Sequence, residues 1–446
     1  MVAASGRCRD ERSVASGACV LVTPFAWLRE GTPAARRALL AASLGWMLDA
    51  FDIFLYSLVL PAVMLALGLS KSRAGLLGAA TLASAAVGGV VFGVLADRFG
   101  RTRALMTSVL LYALLTAACG LSWSFASLAV FRILLGFGMG GEWASGAALV
   151  SETWAPRLRS RALALMQSAF AIGYGLAALT AFALLPIVGW RGVFFAGLFP
   201  ALLTIWIRRN VDEPEAWNLS RTVVAGGAPV AGVVIEKSSA FNLLTSRPLG
   251  GITLALTAMN ACCMFAWWGF NLWVPAYLSL PIARGGIGFS ARAMTAIVVL
   301  TQCGMWLGYV SFGSISDRFG RRRSYVVYLV AAAALLTTYA SLRNPWLLAA
   351  LGPVLAFAAT GYWSGFAVVT ADLYPTRIRA TAQGLTYNTG RLASAAAPFA
   401  VGTIADRHGF GAAFHLSAAA FLLAALLWFF IPETGTAATR RLEASG

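Results

Sequence analysis

Charge is scarce in this chain. Of its 446 residues only 11% are Asp, Glu, Lys or Arg, against about 25% in an ordinary soluble domain. Lysine occurs twice, at Lys71 and Lys237, and histidine twice, at His408 and His415. Two histidines are too few for a histidine-based metal centre. The six cysteines (Cys8, Cys19, Cys119, Cys262, Cys263, Cys303) show no metal-ligand spacing and read as small buried hydrophobes. No nucleophile–base set falls among the apolar residues, so neither an enzyme nor a cofactor is expected. What the chain has instead is apolar surface: 59% of residues are hydrophobic and the mean hydropathy is +0.76. That excludes a disordered chain, a nucleic-acid module and a soluble globular protein.

A membrane-crossing helix needs about 20 mostly apolar residues. Roughly twelve such runs, parted by charged or Gly/Pro-rich turns, lie near 40–63, 74–96, 104–121, 126–150, 162–186, 190–207, 249–280, 291–315, 324–342, 346–370, 382–404 and 411–431. In lipid each must satisfy its own backbone hydrogen bonds, so each is expected to be a helix. The expected architecture is an all-α membrane protein of twelve transmembrane helices in two six-helix halves. Its parts are an irregular cytoplasmic segment 1–37, halves at 38–207 and 249–431, a cytoplasmic linker 208–248 and a tail 432–446. The apolar stretch that follows residue 37 runs too long for a cleavable signal peptide.

The net charge of +17 suggests a polyanion partner until its location is considered. With both termini placed inside, inner segments hold 25 Lys/Arg, outer loops hold 7, and two lie within spans. The surplus is a topology signal that puts both termini in the cytoplasm and the chain in the inner membrane. No nucleic acid partner is expected.

One offset recurs along the chain. Gly93-Val-Leu-Ala-Asp97-Arg98-Phe-Gly100-Arg101 is answered by Gly313-Ser-Ile-Ser-Asp317-Arg318-Phe-Gly320-Arg321, 220 residues later. Glu152 with Arg157 and Arg159 is answered by Asp372 with Arg377 and Arg379, and Glu213 by Glu433, at the same offset. The chain is thus a duplicated six-helix unit, an arrangement in which a site forms at the midplane between the halves. Glycines in these loops would let neighbouring helices approach. Asp97 and Asp317 would cap a helix or pair with Arg157, Arg159, Arg377 and Arg379. The residues read either as an inner latch or as arginine anchors that set topology alone.

Five ionisable side chains fall within the spans: Asp49, Asp52, Arg132, Glu142 and Arg391. Each costs about 2.5–3.5 kcal/mol at mid-membrane, so they are expected to face a cavity and offset one another. Arg132, Gly136 and Gly140 recur every fourth residue, a stripe against which another helix can press. Arg132 and Glu142 are about 15 Å apart along the axis, too far to pair. Asp49 and Asp52, three residues apart, are neighbours on one face. Arg132 therefore needs a partner from another helix, and span 1 offers Asp49 and Asp52; protonation of Asp52 would release the arginine and favour another packing of the halves. A permanent structural salt bridge is the other reading. Glu142 is either a second proton site or a structural hydrogen-bonder. The second half lacks these acids and offers Arg391, whose partner is either Glu142 or a substrate carboxylate. Helical stripes place Gln383, Tyr387 and Asn388 beside Arg391, set Trp267 and Asn271 on span 7, and put Gln167 and Tyr174 on span 5.

The repeated loops resemble the signature Gly-x-x-x-Asp-Arg-x-Gly-Arg-Arg of the major facilitator superfamily, over about residues 38–436. Three further segments, Leu44–Asp52, Met139–Trp143 with Glu152-Thr-Trp, and Tyr387–Arg391, resemble the metabolite/proton symporters typified by sialic acid and lactate permeases, with aromatic-acid/proton symporters as relatives. In the related sugar porters the residues matching Asp52 and Arg132 form the proton-coupling pair. Span 5 lacks the Gly-Pro motif of drug/proton antiporters. The resemblance implies a functional monomer that imports a small organic anion, such as a monocarboxylate, sugar acid or aromatic acid, by proton symport. A proton-independent facilitator or a sugar/polyol permease is the alternative.

Overall fold

The computed structural model describes residues 25–213, 243–245, 249–374 and 378–434, and among these there is helix but no strand. The first half comprises α1 (Pro33–Ala66), α2 (Lys71–Phe99), α3 (Arg101–Cys119), α4 (Phe125–Thr153), α5 (Pro156–Phe195) and α6 (Phe199–Asn210). The second comprises α7 (Leu249–Asn271), α8 (Val274–Ser279), α9 (Ala291–Phe319), α10 (Arg321–Ser341), α11 (Pro345–Thr360), α12 (Phe366–Leu373), α13 (Arg379–Ser394) and α14 (Ala397–Leu427).

Ten continuous helical stretches are long and apolar enough to cross a membrane. Two of them are too long for one pass. The stretches Arg157–Asn210 (54 residues) and Ala382–Phe430 (49 residues) would each exceed 70 Å if straight, at about 1.5 Å per residue, against a hydrocarbon core of about 30 Å. Each folds back at a glycine that a side chain could not easily replace: Gly189 (φ 64°, ψ 179°) and Gly409 (φ 80°, ψ 167°). The described residues therefore cross twelve times, so the first and last of them lie on one face of the bundle. We call this the amino-terminal face and the opposite one the far face.

The 220-residue duplication extends to these details. The two folding glycines are 220 apart, and so are the left-handed glycines Gly100 and Gly320 that turn α2 into α3 and α9 into α10. Ser70 and Ser290, again 220 apart, cap α2 and α9 by accepting from the backbone N–H three residues on. Glu213 accepts from the first amides of α3, Thr102 and Arg103, and Glu433 accepts from Arg322 of α10. Carboxylates at helix starts satisfy orphan donors and complement the helix dipole.

Within the first half, α4 lies against α2 along the glycine stripe. A side chain at Gly136 or Gly140 would run into the backbone carbonyls of Thr81 or Ala85. Gly93 and Gly313 of the repeated loops differ from that expectation: beyond their own chain neighbours and helix backbone, no described atom lies within 4 Å of where a Cβ would sit.

Residues 1–24 lie outside the described residues. Residues 25–37, expected to be irregular, are structured. A 3-10 turn, Ala26–Glu30, precedes α1, and Thr32 caps the helix by accepting from Ala35. The turn is anchored by Trp27, whose ring meets that of Trp154 edge-on at 5.2 Å, and by a Glu30–Arg157 ion pair at 2.8 Å.

The halves are joined at the far face. Asp406, at the end of the first pass of α14, accepts from the Lys71 and Ser72 amides of α2 at 3.1 and 2.7 Å and pairs with the Lys71 ammonium at 3.7 Å. Ser72 and Thr403 are hydrogen-bonded at 3.1 Å, and Ser57 of α1 donates to the Leu272 carbonyl at 2.6 Å.

Candidate functional site

A partly open space of about 530 Å³, a figure that includes solvent, lies between the halves at mid-bundle. The first half contributes Trp46, Asp49 and Ile53 from α1 with Gln167 and Phe170 from α5. The second contributes Met264, Trp267, Trp268, Tyr309, Trp363, Tyr387 and Arg391. Asp49 and Arg391 thus face one space from opposite halves, as the repeat arithmetic could not show. The Arg391 carbonyl accepts from the Ser394 hydroxyl, but its guanidinium makes no hydrogen bond or ion pair to the described residues, although the residue is only 6% exposed.

Stacked aromatic pairs flank this space on both sides. Towards the far face, Phe54 of α1 stacks on Tyr174 of α5 with centroids 3.5 Å apart and planes 5° from parallel. Towards the amino-terminal face, Trp143 of α4 stacks on Tyr387 of α13 at 4.2 Å and 6°. Below that stack is a second chamber of about 540 Å³, lined among others by Trp143, Gln167, Trp363, Gln383 and Tyr387. The partition between the chambers is pseudo-symmetric. Trp143 and Trp363 are 220 residues apart, and so are Gln167 and Tyr387.

The sequence-derived residues divide by depth. Arg391, Tyr387, Gln167 and Trp267 line the central cavity, and Gln383 lines the second chamber. Tyr174 and Asn271 lie nearer the far face, lining a pocket of about 260 Å³ with Gln302 and Tyr339. Asn388 lines none of these cavities. Its amide donates to the Gly384 carbonyl of its own helix at 3.0 Å, and its oxygen faces Gly89 of α2. The helical period put Asn388 near Arg391 but left the wrong side of α13 free for it.

Trp46, Phe170, Met264, Tyr309 and Trp363 went unrecognised in the sequence. For Trp363 a signal existed, since it is the repeat partner of Trp143. Its helix is broken here: α11 gives way to the 3-10 turn Gly361–Gly365 before α12 begins.

The charged residues of the first half form a ladder along α1. Asp52, fully enclosed, accepts from the Thr116 hydroxyl at 2.8 Å. Arg132 is equally enclosed, and its guanidinium nitrogens find no hydrogen-bond partner among the described residues. It lies over the Tyr56 ring, 4.1 Å from the centroid, a cation–π contact. The expected Asp52–Arg132 ion pair is therefore not formed in this structure: each takes a neutral partner, Thr116 and Tyr56. Glu142 is also fully enclosed, and neither of its oxygens has a hydrogen-bond partner among the described residues. Its carboxylate occupies the space that a Cβ of Gly45 would need. Gly45 is one helical turn before Asp49, so Glu142 sits just to the amino-terminal side of Asp49, and both lie within electrostatic reach of Arg391.

At the amino-terminal face the repeated motif forms matching ion pairs, one in each half. Arg101 meets Glu152 at 3.0 Å, and Arg321 meets Asp372 at 3.0 Å. Arg98 and Arg318 lie over the neighbouring rings of Phe99 and Phe319. Asp317 pairs with Arg321 of its own helix-turn at 3.8 Å, and Arg157 pairs with Glu30. The side chains of Asp97 and Arg379, and the whole of Arg377, lie outside the described residues.

Comparison with known proteins gives a consistent picture. The family model described as "Major Facilitator Superfamily" matches residues 42–282 and 278–445. The cis,cis-muconate transport protein of Acinetobacter baylyi is 32% identical over 400 residues, 90% of this chain and 94% of that protein. The sialic acid transporter NanX of Escherichia coli K12 is 28% identical over 411 residues, 91% of this chain and 97% of that protein. Among solved structures, the inward-open xylose transporter XylE of E. coli superposes with a TM-score of 0.70 at 19% identity, over 91% of this chain and 98% of that one. At that identity the likeness concerns the fold alone.

Proposed function

We propose, for a chain that belongs to the Major Facilitator Superfamily and is a multi-pass metabolite transporter rather than an enzyme, that it imports a small organic anion together with protons. The observation that carries this reading is Arg391, an arginine at mid-bundle whose guanidinium has no hydrogen-bond or ion-pair partner among the described residues, facing Asp49 across an aromatic-walled cavity. A guanidinium in such a place suits a carboxylate, which it can hold through two parallel hydrogen bonds.

Charge balance supports the proton. Asp49 and Arg391 cancel in the empty cavity. An arriving carboxylate that takes Arg391 leaves one negative charge uncompensated in a medium where that costs several kcal/mol. A proton arriving with the anion removes the excess. Asp49 is the acceptor in this reading, because it alone of the three acids lines the cavity. Glu142, a turn towards the amino-terminal face, and Asp52 with Arg132, a turn towards the far face, would carry protons to and from it. The relatives named above are described as carriers of muconate and sialic acid, both organic acids, which favours the same substrate class.

We place the amino-terminal face in the cytoplasm and the protein in the inner membrane, from the distribution of arginine. The halves are read as 38–207 and 249–431, joined through a cytoplasmic linker at 208–248, and acting as a monomer. The described form, joined at the far face, is then closed to the outside. Release inward requires the Trp143–Tyr387 partition to part, with Arg101–Glu152 and Arg321–Asp372 bracing the inner ends of each half.

The test is uptake of radiolabelled carboxylic acids into proteoliposomes under an imposed pH gradient. Accumulation should collapse when a protonophore is added. Accumulation that persists would exclude proton coupling and favour the facilitator reading. In Asp49→Asn, uphill uptake should be lost while counterflow exchange survives.

A further inference from the structure

Arg132 and the far-face contact between the halves are joined through one side chain. Tyr56 of α1 is fully enclosed, and its ring carries the Arg132 guanidinium 4.1 Å from the centroid. The hydroxyl of the same residue donates to the Ala74 carbonyl at 2.8 Å. Ala74 lies in the first turn of α2, the part of that helix which the second half holds. Asp406 accepts from the amides of Lys71 and Ser72, and the Lys71 ammonium donates to the Ala405 carbonyl at 3.0 Å. Beside Ala74, a Cβ on Gly75 would run into the carbonyl of Pro398 in α14. The Asp52 carboxylate, one turn before Tyr56 on α1, is held by Thr116. The repeat has no second copy of this line: Tyr56 is answered by Ala276 and Arg132 by Gly352.

We infer that Tyr56 is a positioning residue that ties the state of the far face to the place of the Arg132 charge. With the far face joined, Ala74 is fixed against the second half, the Tyr56 ring is fixed by Ala74, and Arg132 rests on the ring, apart from Asp52. A cation over a ring is held more strongly when enclosed, because water does not compete for it. When the far face parts, the first turn of α2 loses its acceptor at Asp406 and its backing at Pro398. Tyr56 then loses its fixed anchor, and Arg132 turns to the Asp52 carboxylate, which lies within reach of its charge. The link works in both directions: whatever the contact does to Arg132, Arg132 does to the contact. The inference rests on the reading of the protein as a proton-coupled carrier for the use made of the moved charge, and on the contacts themselves for the link.

The test is a double-mutant cycle on the purified full-length protein. It is read as the ratio of joined to parted far faces, by pulsed electron resonance between spin labels at positions 73 and 407. Tyr56→Phe keeps the ring and removes only the hydroxyl that ties it to Ala74. Arg132→Gln should lower the ratio about fivefold when Tyr56 is present, and less than about 1.5-fold in Tyr56→Phe. A shift of equal size in both backgrounds would overturn the inference, as would no shift in either. A second measurement does not depend on Arg132→Gln folding. In proteoliposomes under a pH gradient, Tyr56→Phe should keep wild-type counterflow exchange of radiolabelled benzoate while the concentration ratio it reaches falls about fivefold. Equal loss of both would make the hydroxyl merely structural and overturn the inference, and so would loss of neither. Because the cycle involves no transport, a wild-type protein whose accumulation ignores a protonophore would overturn the proton reading and leave the outcome of the cycle unaffected.

Discussion

Removing the Asp406 carboxylate should loosen the far face by a predictable amount. In the structure it accepts from the first two amides of α2 and pairs with Lys71 at 3.7 Å, so one side chain supplies a cap, a dipole partner and an ion pair across the halves. Loss of an N-terminal cap costs about 0.5–2 kcal/mol, and a carboxylate at a helix start contributes about 0.3–1 kcal/mol. The ion pair, with Asp406 29% exposed, adds at most about 1 kcal/mol. The first two figures describe overlapping contacts, so a total near 2 kcal/mol is reasonable, or about thirtyfold in the ratio of joined to parted far faces. Asp406→Ala should show that full shift. Asp406→Asn, which keeps an oxygen acceptor and caps nearly as well, should show about two- to fivefold. Spin labels on cysteines placed at positions 73 and 407, in a background with the native cysteines replaced, report the distance distribution by pulsed electron resonance. If Asp406→Ala leaves the parted fraction unchanged, the contact does not hold the halves together and the reasoning fails.

Three further outcomes follow from the geometry. Arg391→Ala should raise the apparent KM for carboxylates at least tenfold and for neutral analogues of equal size much less. Equal effects would argue against an anion anchor. Gly140→Val should destabilise the fold by about 1–3 kcal/mol or more, since its side chain meets the α2 backbone, whereas Gly93→Ala, with open space around it, should not; thermal unfolding of the two variants in detergent decides. Trp143→Ala removes half of the partition between the two chambers. It should speed counterflow exchange while lowering the concentration ratio reached at steady state, and an unchanged ratio would show that the stack is not a barrier.

Much of the fold was legible because lipid imposes a simple rule. Apolar runs of fixed length must become helices, and the 220-residue repeat in Gly100 and Gly320, Glu213 and Glu433 ties the two halves to one plan. The same repeat fell silent at the site, where the halves have diverged: Asp49 is answered by Gly269 and Glu142 by Tyr362. Breaks in the helices were also hidden. Nothing in the apolar pattern around Trp363 announces a 3-10 turn, because hydropathy records burial and not backbone angle. Asn388 lines none of the described cavities for a related reason. A helical period says which residues share a face but not which neighbour that face meets.

By itself, the sequence determined the number of crossings, the pseudo-twofold plan and the small set of charges that a membrane should not tolerate. These depend on composition and spacing, which local physics constrains strongly. Only the tertiary structure decided how those charges are arranged. Asp49 is set opposite Arg391 from the other half, while Asp52 is given to Thr116 and Arg132 to Tyr56. Such pairings join residues hundreds of positions apart, and they follow from how packed helices rotate against one another, a quantity that no periodicity along a single chain contains.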